Sequence, residues 1–141
     1  MLWEDNMKKI LRIPAFWLVF ILLISTVPIT TASEIQPRFT YVNDLTTSIS
    51  IDSNGNAICK GKVITTTPTT VKIVCKLQKY VNQSWVTLTQ WSKEGTSQAN
   101  ISATYAVTSG SVYRVYTVGI VLDSIGNELE TATLADAEYY P

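Results

Sequence analysis

The chain contains no histidine. That absence removes the side chain most used as a general base near neutral pH, and with it the serine–histidine triad and most zinc sites. Cysteine is scarce: Cys59 and Cys75 are the whole complement, and their spacing is far from a Cys-x-x-Cys redox motif. Pro68 is the sole proline between Arg38 and Tyr140, so strands on either side of it keep their ladder hydrogen bonds. Charge is sparse and balanced, at 16% of residues and a formal net of zero, which argues against nucleic acid or an anionic membrane as the main partner. No stretch sustains the 3.6-residue apolar period of an amphipathic helix.

The longest apolar run, Ala15–Ile24, is about half of the ~20 residues that cross a bilayer. It follows the basic segment MKKILR at Met7–Arg12, lies between Pro14 and Pro28, and precedes the small residues Thr30–Ser33. Basic, apolar, small is the order of a secretory signal peptide, with cleavage near Ala32. Glu4 and Asp5 are out of place in such a leader, so Met7 reads as an alternative start. The expected division is a signal peptide over 1–32, a short N-terminal segment over 33–38, a domain over 39–134 and a C-terminal tail over 135–141. No cysteine adjoins the cut to take a lipid, and no membrane span is expected once the signal is removed.

What the rest of the chain holds in abundance is Thr, Ser, Val and Ile. Stiff β-branched side chains pack well on a pleated sheet. Period-two alternation predicts seven strands, over Thr46–Asp52, Ala57–Thr66, Val71–Tyr80, Trp85–Trp91, Gln98–Ala106, Val112–Asp123 and Asn127–Leu134. Gly55, Gly95, Gly110 and Gly126 fall between them, where turns need positive φ. Two turns share a pattern, DSNGN from Asp52 and DSIGN from Asp123. In both, the aspartate bonds its own backbone and the glycine takes the left-handed position.

Seven short strands with regular turns predict a single all-β domain, an antiparallel β-sandwich. The segment SGSVYRV, Ser109–Val115, resembles the tyrosine corner of immunoglobulin-like folds, with Tyr113 as the corner. That analogy groups strands one, two and five in one sheet and strands four, three, six and seven in the other. It also turns Tyr113, Val115, Thr117 and Gly119 inward and Arg114, Tyr116, Val118 and Ile120 outward. The segment QPRFTYVNDLTTSISIDSNGNAICKGKV, followed by KLQKY, SW and W, is similar to a family of small secreted proteins of unknown function from Gram-positive bacteria. The resemblance spans most of Gln36 to Leu134. It implies export and an immunoglobulin- or fibronectin-III-like fold and carries no activity with it.

Candidate chemistry is thin. A carboxylate pair can hydrolyse a glycan without histidine, and Asp44, Asp52, Glu94, Asp123, Glu128 and Glu130 are the candidates. Most fall in or beside turns, where acids are ordinary. The DSNGN turn has Val63 where a calcium loop needs its twelfth-position glutamate. Neither a metal nor a cofactor is therefore expected. Cys59 and Cys75 fall on inward faces of strands two and three, either as a sheet-stapling disulfide or as two buried thiols; the sequence leaves both open.

Charge is unevenly spread along the chain. Lys60, Lys62, Lys72, Lys76 and Lys79 cluster, and Asp123, Glu128, Glu130, Asp136 and Glu138 close the chain. These are either two solvated faces or a polarised surface that orients a partner.

The fourth strand, WVTLTQW, poses the main question. If Val86 and Leu88 face the core, Trp85 and Trp91 project outward beside Tyr80 and Tyr116, flanked by Lys76 and Arg114. Such an aromatic surface suits an extracellular glycan or a protein. If the faces are swapped by a bulge, the tryptophans cover the core instead. The leading expectation is a secreted, non-catalytic binding module. The alternatives are a small carboxylate hydrolase and an envelope-associated structural protein.

Overall fold

The computed structural model describes residues 38–141, so the expected signal peptide, the alternative start at Met7 and nearly all of segment 33–38 lie outside the described residues. Seven strands follow one another: β1 Val42–Ile51, β2 Asn56–Thr65, β3 Thr70–Val81, β4 Ser84–Thr96, β5 Gln98–Ala106, β6 Ser111–Leu122 and β7 Glu128–Tyr140. They form two antiparallel sheets, ordered β1-β2-β5 and β4-β3-β6-β7, the grouping expected from the sequence. Val63 of one sheet and Val71, Ile73, Leu77, Val115 and Val121 of the other are fully buried between them. Each such side chain contributes roughly 1.5–3 kcal/mol through burial. β6 alternates as expected, with Tyr113, Val115, Thr117 and Gly119 inward.

The twin turns close alike. Asp52 Oδ1 accepts from the N–H groups of Asn54 and Asn56, each at 2.9 Å. Asp123 Oδ1 accepts from Ile125 and Asn127 at 2.9 and 2.8 Å. Gly55 and Gly126 take φ of 78° and 90°, which only glycine does freely. These bonds hold both aspartate carboxyls below their ordinary range, with the Asn56 and Asn127 side chains as the leading causes. Tyr113 Oη donates to the Thr108 carbonyl at 2.7 Å and accepts from Thr108 N–H at 3.1 Å, which pins the β5–β6 connection.

Two boundaries differ from expectation. β7 runs on to Tyr140, through the segment read as a tail. Gly95 lies inside β4 rather than at a turn. Its need for glycine is steric: a Cβ there would collide with the Gln98 carbonyl, because the chain changes sheets at the single residue Ser97, whose φ is 63°.

The acidic end of β7 has a structural job that alternation alone did not reveal. Glu130, Asp136 and Glu138 pair with the inward-facing positions Val121, Val115 and Tyr113 of β6. Their carboxylates reach the unpaired edge of β1. Glu130 accepts from Thr40, Tyr41 and Val42 at 2.7, 2.8 and 2.7 Å, Asp136 from Ile49 at 2.9 Å, and Glu138 from Ile51 at 3.1 Å. Partial burial raises the Glu130 pKa, but the three N–H donors outweigh it and leave the carboxyl below its ordinary value. Side chains thus do for β1 what an eighth strand would otherwise do, and inward-pointing acids also blunt the edge of β7 against pairing with another chain.

Candidate functional site

The answer for the fourth strand lies in its register. β4 pairs with β3 so that Trp91 is opposite Cys75 and Thr89 is opposite Leu77, and then the pairing slips: Gln78 faces Thr87 and Tyr80 faces Trp85. Leu88 is the extra residue of a bulge, left without a partner. One inserted residue reverses the faces of everything beyond it, since side chains alternate with period two. Trp85 is therefore outward and Trp91 inward, packed against the core cluster. This corrects the expectation that the two tryptophans share the outer face. Val86 and Leu88, expected in the core, are 48% and 37% exposed at the overhanging edge.

The remaining candidates do assemble. On the outer face of the four-stranded sheet Trp85 stacks at a tilt on Tyr80, ring centroids 5.0 Å apart. The Arg114 guanidinium lies 4.2 Å from the Trp85 ring centroid and 5.4 Å from that of Tyr116. Its Nε donates to Gln78 Oε1 at 2.8 Å, and Gln78 Nε2 donates on to Thr87 Oγ1 at 3.0 Å. A relay across three strands thus fixes the arginine between two aromatic rings. Lys76 is opposite Tyr116 on β6 and Gln90 on β4, which completes the cationic flank. Tyr139, 59% exposed, stands on the same face at the β7 edge, opposite Val112. It was not singled out because it lay in the presumed tail.

The facing alternation of the other sheet is of a different kind. Thr46, Ser48, Lys60, Lys62, Asn100 and Ser102 line a shallow depression of about 320 Å³ there. Gly61 and Ile101 complete its lining, and no aromatic ring is part of it.

The carboxylates considered for hydrolysis are mostly engaged elsewhere. Asp52 and Asp123 close turns, Glu130 caps β1, Glu128 accepts from Thr131 Oγ1 at 2.7 Å, and Glu94 meets Lys72 at 3.9 Å. Cys59 and Cys75 are free, fully buried thiols on opposing sheets. Burial, with Cys75 as a neighbour, pushes the Cys59 thiol up to about 11; burial also raises Cys75, partly offset by its 3.5 Å contact with Thr117 Oγ1. Such thiols are poor nucleophiles at neutral pH. Gly61 belongs to this layer, since a Cβ there would collide with Cys75 Sγ.

The described residues thus form a seven-stranded, two-sheet β-domain with one aromatic outer face. Compared with known proteins, the chain matches no family model and no curated sequence.

Proposed function

We propose that this is an exported, non-catalytic binding module of immunoglobulin or fibronectin-III type. It works in the surroundings or envelope of a Gram-positive bacterium and engages an extracellular glycan or protein through the outer face of β4-β3-β6-β7. The sheet orders and the Tyr113–Thr108 hydrogen bonds support the immunoglobulin-like type. The basic, apolar, small order of residues 7–33 supports export. The observation that carries the binding role is the cluster of Trp85, Tyr80, Arg114 and Tyr116 on one outer face. Rings held there gain no core burial, and exposed aromatic and arginine clusters are the usual anchors of recognition surfaces.

Two measurements test the reading. N-terminal sequencing of the exported protein should begin near Ser33; a chain still starting at Met1 or Met7 sinks export. Pull-down on cell-wall material or a glycan array should weaken for Tyr80→Ala and Trp85→Ala while both variants stay folded, with melting lowered by only the few degrees that about 0.5–1 kcal/mol represents. Undiminished capture by both variants removes this face from consideration.

A further inference from the structure

Arg114 is unusual in how it is held. Its guanidinium carbon lies over the Trp85 ring, with the Tyr116 ring centroid 5.4 Å away, and its Nε is committed to Gln78. That commitment leaves the two Nη groups as the open edge of the fork. No acid sits where one would be expected to meet it. The residues directly across from Arg114 are Gln78 on β3 and Ala137 on β7. Among the described residues the one ion pair is Lys72–Glu94, at the far end of the same face. The arginine is therefore fixed in position, partly shielded from solvent and unmatched in charge.

Because Arg114 already covers Trp85 and borders Tyr116, those rings serve to orient the cation more than to offer bare platforms. The open ring surface is Tyr80 and Tyr139, 45% and 59% exposed, on either side of it. Ala135 and Ala137 on β7 leave a low floor between Tyr116 and Tyr139. A flat floor, flanking rings and nearby hydroxyl and amide groups on Thr87 and Gln90 suit sugar rings better than peptide side chains, which anchor in pockets.

Resting on the binding-module reading above, we propose that the ligand is an acidic polysaccharide. Arg114 takes a uronate carboxylate through its two Nη groups, Lys76 adds cationic charge, and Tyr80 and Tyr139 stack on the neighbouring sugar rings.

The test uses the full exported protein in affinity electrophoresis with polygalacturonate, its carboxyl-reduced neutral counterpart and polyglutamate. Polygalacturonate should retard the protein, less so as salt rises. R114Q should lose roughly ten- to a hundredfold in affinity, the worth of a charge-assisted bidentate contact, with its melting temperature close to wild type. R114K should lose most of it too, since lysine keeps the charge and lacks the fork. Equal retardation by the neutral polymer, or unchanged binding by R114Q, overturns the acidic ligand. Stronger retardation by polyglutamate assigns the face to an acidic peptide and overturns the glycan. If no polymer retards the protein while cell-wall capture still depends on Trp85, the acidic-glycan assignment falls and the binding module stands. Loss of that capture as well brings down both.

Discussion

Trp85 and Trp91 lie in one strand, six positions apart, and face opposite sides of the sheet. Both are half-buried, so exposure alone does not separate them; what covers them does. Trp85 is covered by Tyr80 and Arg114, groups of its own outer face. Trp91 is covered by the core and closes the β4 side of the sandwich. The same residue type thus sits in the outer aromatic cluster at one end of the strand and against the core at the other, and only the bulge at Leu88 makes the difference.

Truncation should separate the two most sharply. Full burial makes Trp→Ala cost about 3–5 kcal/mol; for the half-buried Trp91 about 2–3 kcal/mol is expected. Trp85→Ala removes a cross-strand ring contact and a cation–π contact and should cost about 0.5–1 kcal/mol. Urea unfolding of both variants measures the gap. Equal losses would mean that the two rings share one role.

A second contrast lies between the two sides of the sandwich. The β4 side is closed by an apolar ring, the β1–β7 side by carboxylates on backbone N–H groups. Glu130→Gln should cost about 1 kcal/mol, because an amide cannot accept from all three donors and brings its own N–H₂ among them. Its pH signature follows from the lowered carboxyl. The stabilisation by Glu130 is fully present above the unfolded-state value near 4.5 and is lost as pH falls through the lower folded value. Wild type and Glu130→Gln should therefore differ at pH 6 and draw together as pH falls below the unfolded-state value and on through the lower folded one. Asp52 and Asp123 are lowered as well, so the variant keeps part of its acid sensitivity. Trp91→Ala should instead shift stability by the same amount at every pH. A pH-independent Glu130→Gln defect would show that the β1–β7 side is closed by packing instead.

The strands, the sheet grouping and the inward face of β6 were legible because each rests on local signals: alternation, turn glycines and the Tyr113 corner. The outer cluster was legible in part, since Tyr80, Tyr116, Lys76 and Arg114 follow from unbroken alternation in β3 and β6. Trp91 was not, because a bulge inserts a residue with no compositional mark; Leu88 stands between Thr87 and Thr89 just as an apolar residue of a regular alternating strand would. The acids of β7 were read as solvated or as a polarised surface because charge suggests water. Their partners are backbone N–H groups nearly ninety positions earlier in the chain, and no local pattern carries that contact. Gly95 was misplaced for a related reason: glycine marks positive φ and close backbone approach equally well, and here the second applies.

The finest test of the comparison removes the bulge itself. In the native chain, strict alternation over six positions would put both tryptophans on one face. Deleting Leu88 shortens the spacing to five, and a regular ladder then puts them on opposite faces with no bulge at all. The pairs on either side, Leu77 with Thr89 and Gln78 with Thr87, are already in place, so the deletion asks nothing of the core and removes a side chain that is 37% exposed. Stability should stay within the roughly ±0.5 kcal/mol of an ordinary surface change. Fluorescence quenching by acrylamide, read in Trp85→Phe and Trp91→Phe backgrounds, should leave each remaining ring as accessible as before. Substitution of Leu88 by alanine keeps the extra residue and serves as the control for lost side-chain contacts. A deletion that unfolds the domain where Leu88→Ala does not would show that the bulge supplies twist the sheet requires, and that the strand's two faces are not set by residue parity alone.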